Sequence, residues 1–173
     1  MKNIFLIFIV IFKLTDIPFE KMDSGIALKD PDSFHILDIE NLEINETEDG
    51  NYYLFVNEKE GMYLKAYQYE GDINYSISLF EVGILGKNEI DNFKSLNKTV
   101  LNNIDLYTSN KLKIGLNRIE VEELLNMEFK ELDNKLIYKL DENILKYNMP
   151  SYYLEIEFKD DKIKRFRFGF EYT

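Results

Sequence analysis

The sequence predicts an α+β protein rich in antiparallel sheet, with an N-terminal β-meander followed by a short helix and a three-stranded antiparallel unit. Three observations carry that expectation. Near the C-terminus, Tyr152, Leu154, Ile156 and Phe158 alternate with Tyr153, Glu155 and Glu157, and Phe166, Phe168, Phe170 and Tyr172 alternate with Arg165, Arg167, Gly169 and Glu171, the period-2 pattern of half-buried strands. Ahead of them, Asn117 to Asn126 has the polar ends and apolar stripe of a capped helix. Between residues 33 and 83, β-rich runs are divided by Gly- and Asn-containing turns.

In chain order, Lys2 precedes nine consecutive apolar residues, Ile4 to Phe12. That length suits a signal-peptide core and is too short to cross a bilayer, while a buried strand or helix of the fold is the other reading. The nearest small-x-small site, Gly25-Ile26-Ala27, lies far beyond the usual cleavage distance. Residues 1–24 are therefore set apart as a signal peptide or hydrophobic N-terminal element. Residues 25–110 form the meander region and residues 111–173 the helix with its strands, either as separate units or as one continuous domain.

Four strands are expected in the meander: Phe34 to Ile39, Tyr52 to Val56, Met62 to Tyr69 and Ile73 to Val82. In the last, Ile73, Tyr75, Ile77 and Leu79 share a face against Asn74, Ser76 and Ser78, so one side should meet solvent. Residues 84–110 read as a connection holding a strand around Thr99 to Leu106.

The helix boundaries follow from side chains. Asn117 is placed to cap the first turn, and Glu120, three residues on, can reach back to the cap amide as in a capping box. Leu116 and Val121 have staple spacing, Val121, Leu124 and Leu125 form an apolar face, and Asn126 sits where a left-handed residue ends a helix. For the terminal hairpin, a loop of Asp160, Asp161 and Lys162 sets Glu157 opposite Arg165, Glu155 opposite Arg167, Ile156 opposite Phe166 and Leu154 opposite Phe168. A two-residue loop would instead set Ile156 against Arg165 and mix polar and apolar faces, so the pattern favours the longer loop. Leu136 to Leu140 supplies the third strand.

At Ile114-Gly115-Leu116-Asn117, Glu120-Val121 and Leu124-Leu125-Asn126 the chain resembles the small envelope modules of the SmpA/OmlA (BamE-type) family and the related β-lactamase-inhibitor-protein-like domains, over roughly residues 111–173. Asn126 stands where that pattern ends in Gly. The resemblance implies a capped helix on antiparallel aromatic strands, protein binding rather than catalysis, and no catalytic residues. The absence of a cysteine departs from the lipoproteins of that family.

Composition sets the outer limits. A chain of 173 residues buries about 70% of its unfolded surface, and 45% apolar with 14% aromatic residues argues against disorder. The formal charge of −11 disfavours nucleic acid, which needs a basic footprint. With no Cys, disulfides, thiolate metal sites, cysteine nucleophiles and lipid attachment to a cysteine are excluded. Asn45, Thr47, Asp49 and Gly50 mimic the first half of an EF-hand loop, but the twelfth position is Val56, which cannot ligate. His35, the single histidine, reads as structural, and Glu120, Glu122 and Glu123 are explained by capping and solvation rather than acid-base chemistry. Sequons at Asn45, Asn74 and Asn97 are expected by chance in an Asn-rich chain.

No catalytic, cofactor or metal site is expected. The candidate functional surface is aromatic: Tyr53, Tyr63, Tyr67, Tyr69, Tyr152 and Tyr153 offer flat amphipathic contact area, with sheet packing as the competing use of each ring. Two functions remain open. One is a non-catalytic exported or envelope-associated, periplasmic or secreted module that binds a protein partner. The alternative is an acidic inhibitor or immunity-type protein that blunts a basic site on a toxin or enzyme.

Overall fold

The computed structural model describes residues 20–37, 42–48, 50–69, 71, 75–102, 105–140 and 151–171. The expected run Ile4 to Phe12, the sequon at Asn74 and the link through Met149-Pro150 lie outside them. Among the described residues nine strands join in one sheet: β1 (Asn45–Thr47), β2 (Gly50–Asn57), β3 (Met62–Gln68), β4 (Leu79–Ile84), β5 (Thr99–Val100), β6 (Lys130–Leu132), β7 (Lys135–Leu140), β8 (Ser151–Lys159) and β9 (Lys162–Glu171). The order is β1-β2-β3-β4-β9-β8-β7-β6, with β5 added parallel to β2 and every other pairing antiparallel. The helices α1 (Lys87–Asn92) and α2 (Arg118–Leu125) complete an antiparallel, sheet-rich α+β fold. The β4–β9 pairing fuses the meander to the C-terminal strands.

One sheet face is continuously apolar. Phe55, Leu64, Val82, Phe166, Ile156 and Leu136 stand side by side across six strands, and all are buried. Phe80, Phe168 and Leu154 form the adjoining row. Each such side chain contributes about 1.5–3 kcal/mol by leaving water. Met22, Ile26, Leu106, Leu112 and Val121 cover this face from outside the sheet. Met22, Ile26 and Leu28 therefore belong to the core, the first two fully buried, with Lys21 bridged to Ala27.

The helix α2 forms as its side chains dictate. Asn117 accepts from the Glu120 amide at 3.0 Å, Glu120 accepts from the Asn117 amide at 2.7 Å, and Asn126 closes the C-terminus at φ 43°. Leu116 and Val121 pack into the core, but Leu124 turns toward solvent, because Val121 and Leu125, one turn apart, already fill the narrow inward stripe.

The terminal hairpin has the expected register and a different turn. Glu157 faces Arg165, Ile156 faces Phe166, Glu155 faces Arg167 and Leu154 faces Phe168. Lys162, however, is a strand residue paired with Lys159, so the loop is only Asp160-Asp161, both left-handed at φ 52° and 61°. Lys164 is the extra residue of a bulge, which returns the phenylalanines to the core face.

Three expectations for the meander are corrected. Of the expected strand Phe34 to Ile39, the described part Phe34 to Leu37 lies in a 3₁₀ helix, Pro31–Leu37, its entry fixed by the Ser33 hydroxyl, which donates to the Asp30 carbonyl and accepts from the Ala27 amide. The first strand among the described residues is instead β1, ahead of the expected strand Tyr52 to Val56. Among the described residues of the run Ile73 to Val82, those from Tyr75 on, strand begins only at Leu79, because Tyr75 is left-handed at φ 64°. Ile77 then enters the main core while Leu79 joins a second apolar cluster across the sheet, so they do not share a face and β4 is covered on both sides. Beyond the end of β4 at Ile84, the described residues up to 110 hold α1, a short 3₁₀ turn and the two-residue strand Thr99–Val100, and the C-terminal unit has the additional short strand β6.

Candidate functional site

The opposite sheet face carries a ladder of charge. Lys65, Glu81, Arg167 and Glu155 lie directly opposite one another across β3, β4, β9 and β8, and beside them run Tyr63, Gly83, Arg165, Glu157 and Lys135. Strand alternation puts all of them on the side away from the phenylalanines. Glu157 meets Arg165 Nη2 at 2.9 Å and Lys164 Nζ at 2.8 Å, Glu155 meets Lys135 Nζ at 3.1 Å, and Glu81 lies 3.4 Å from Arg167 Nε. Two phenols donate into the same carboxylates: Tyr63 to Glu81 at 3.0 Å and Tyr153 to Glu155 at 2.7 Å. Gly83 makes room for the first, since a Cβ there would stand 2.6 Å from the Tyr63 ring.

The ladder is layered. The carboxylates lie deep, with side-chain exposures of 7% for Glu81, 9% for Glu155 and 13% for Glu157, whereas Arg165 and Lys164 retain 32% and 38%. Lys65, Lys135, Lys164, Arg165 and Arg167 outnumber the three acids by two, and all but the deep Lys65 are clearly more exposed than the carboxylates, so the outward layer is basic although the chain as a whole is strongly acidic. Burial works to lower the Arg165 pKa, but Glu81 and Glu157 beside it hold the guanidinium above its ordinary value. Burial also acts to raise Glu157, and the Lys164 bond with the Arg165 charge outweighs it, leaving the carboxyl below its usual range. Burial, then the Glu81 charge, pushes the Tyr63 phenol up.

A cleft of about 480 Å³ opens where this face meets α1, lined by Lys87 and Glu89 from the helix, Lys159 and Lys164 from the hairpin, and Tyr63 and Arg165 from the sheet. Ile84, at the end of β4, is 44% exposed and lines both this cleft and a second of about 500 Å³ bounded by Met62, Leu106, Tyr107 and Ile114.

Of the tyrosines singled out from sequence, Tyr63 lines the first of these clefts. Tyr53 is buried in the main core, Tyr67 in the second cluster with Tyr63, and Tyr152 is wholly buried against Phe170. Tyr69 and Tyr153 are half-buried. Sheet packing, the competing use, therefore takes most of these rings, because both faces of β2, β3 and β4 are covered.

Other candidates resolve structurally. His35 is exposed on the 3₁₀ helix rather than set in an apolar strand. Asn45 is buried and clamps the connection to β5: its side chain accepts from the Asn97 amide at 2.8 Å and donates to the Asn97 carbonyl at 2.7 Å. It is thereby withdrawn from both glycosylation and metal ligation, while Asn97 is exposed. Lys29 donates to Ser78 at 2.5 Å, a pairing used by some nucleophilic sites, but Ser78 has no exposure and no substrate could reach it. Among the described residues no group of three or more acid or imidazole side chains is placed to hold a metal ion, and no helix is long and apolar enough to cross a membrane.

Sequence alternation exposed Arg165, Arg167, Glu155 and Glu157 as one face. It carried no signal for Lys65, Glu81 or Ile84, whose place depends on the long-range β4–β9 pairing. No protein-family model, curated protein or solved structure matches the chain.

Proposed function

We propose that this chain is a non-catalytic protein-binding module whose contact surface is centred on Ile84. The observation that carries the reading is an exposed isoleucine standing between two clefts, with Tyr63 and Arg165 beside it and lysines around the margin. An apolar or aromatic centre with arginine and a charged rim is the composition by which protein interfaces are organised. Its setting is rigid, since β4 is hydrogen-bonded on both sides. The edge strands β1 and β6 have three residues each, which favours binding by this face over strand addition at an edge.

The capped helix α2 and the inward phenylalanines of β9 support the proposed kinship with SmpA/OmlA-like modules. Export to the envelope or beyond is part of the proposal and rests on the apolar run Ile4 to Phe12. Affinity capture from the source cell with the unaltered protein and with Ile84→Asp tests it. A protein retained by the first and lost by the second is the expected result; equal retention, or none by either, contradicts it.

A further inference from the structure

From the layered charge of the outer face we infer that the cleft between α1 and the β8–β9 hairpin receives an acidic peptide segment of the partner. This deepens the protein-binding reading and rests on it. The cleft is lined by Lys87, Lys159, Lys164 and Arg165 against Glu89 and Glu157, and the deeper Glu81 and Glu155 that also approach Arg165 are shared with Lys65, Arg167 and Lys135, so the lining keeps an excess of two positive charges in a chain of net charge −11. Glu157 occupies Arg165 and Lys164 from beneath, so their outward sides and the exposed Lys87 and Lys159 remain to meet an incoming carboxylate. Ile84 at the rim offers an apolar contact beside them, which suits a segment in which glutamate or aspartate neighbours a leucine-like residue.

The same cations could attract phosphate, but the remainder of the molecule decides against a nucleic acid. A duplex extends well beyond the Debye length of about 8 Å at physiological salt and so meets the acidic surroundings. A short peptide responds mainly to the local excess of positive charge.

The test is fluorescence anisotropy with a labelled Gly-Leu-Glu-Glu-Leu-Glu-Gly peptide, its glutamine counterpart and a labelled short DNA duplex. The full chain should bind the glutamate peptide in preference to both, and added salt should weaken that binding. Combined Lys87→Ala, Lys159→Ala and Lys164→Ala, all at side chains outside the core, should weaken it about tenfold, while Lys130→Ala on β6 leaves it unchanged. Circular dichroism confirms that the variants fold. Equal affinity for the glutamine peptide, unchanged affinity in the triple variant, or tighter binding of the duplex overturns the inference. If Ile84→Asp still abolishes partner capture in that event, the protein-binding reading stands and the acidic occupant alone is lost.

Discussion

Glu157 faces Arg165 across the β8–β9 ladder with 2.9 Å between carboxylate and guanidinium, and the next pair is already shifted, Phe158 facing Ile163. The bulge at Lys164 thus lies beside the ion pair and sends the Lys164 ammonium to the same carboxylate, at 2.8 Å. One irregular residue keeps the phenylalanines inside and concentrates charge outside.

The ion pair has a pH signature. Glu157 has a folded-state pKa below its ordinary 4.5, so it binds protons less readily folded than unfolded. Its contribution is complete above the ordinary value and is lost as pH falls through the depressed folded one. Glu157→Gln should lower stability at neutral pH by about 0.5–1 kcal/mol, with the difference from the unaltered protein shrinking as pH falls below the ordinary value and vanishing once it is below the depressed folded one. Urea unfolding at a series of pH values measures this; a pH-independent difference contradicts it.

Removing the helix cap tests the local logic of α2. Asn117→Ala deletes the acceptor for the Glu120 amide and should cost about 1 kcal/mol in chemical unfolding. Asn117→Ser, which restores an acceptor, should recover most of the loss. Equal loss in both variants would show that the cap is not what the helix start depends on.

Gly169 is required by both conformation and contact. Its φ is +147°, and a Cβ would stand 2.2 Å from the Ser78 carbonyl oxygen, which itself accepts from the Phe170 amide. Gly169→Ala must displace the backbone entering β4 and should destabilise by about 2–4 kcal/mol. Gly61→Ala, at φ +65° but with nothing within 4 Å, should cost less. Thermal melts of the two variants side by side measure the contrast.

What was legible in the sequence is what local chemistry decides. The Asn117–Glu120 exchange is set by residues three apart, and the face pairing of β8 and β9 follows from two alternating runs joined by a tight turn. Phe34 to Ile39 misled because six residues of mixed pattern fit a strand or a helical turn equally, and the choice was made by Ser33 and by the aromatic packing of Phe34 on Tyr53 and Tyr75. Ile77 and Leu79 looked like neighbours on one face because alternation assumes continuous strand, which the left-handed Tyr75 and the non-strand stretch Ser76 to Ser78 interrupt. The candidate site was the least legible part. Glu81 and Arg167 become neighbours only through the β4–β9 pairing, and no short-range pattern can specify a contact across so much chain.

The central claim, that the surface around Ile84 grips a protein, is tested most directly by site-specific photo-cross-linking in the source cell. A benzophenone amino acid placed at Ile84 should give a discrete cross-linked protein adduct, and the same group at Ile119, which is more exposed yet lines neither cleft, should not. No adduct at either position, or the same adduct at both, would contradict the account.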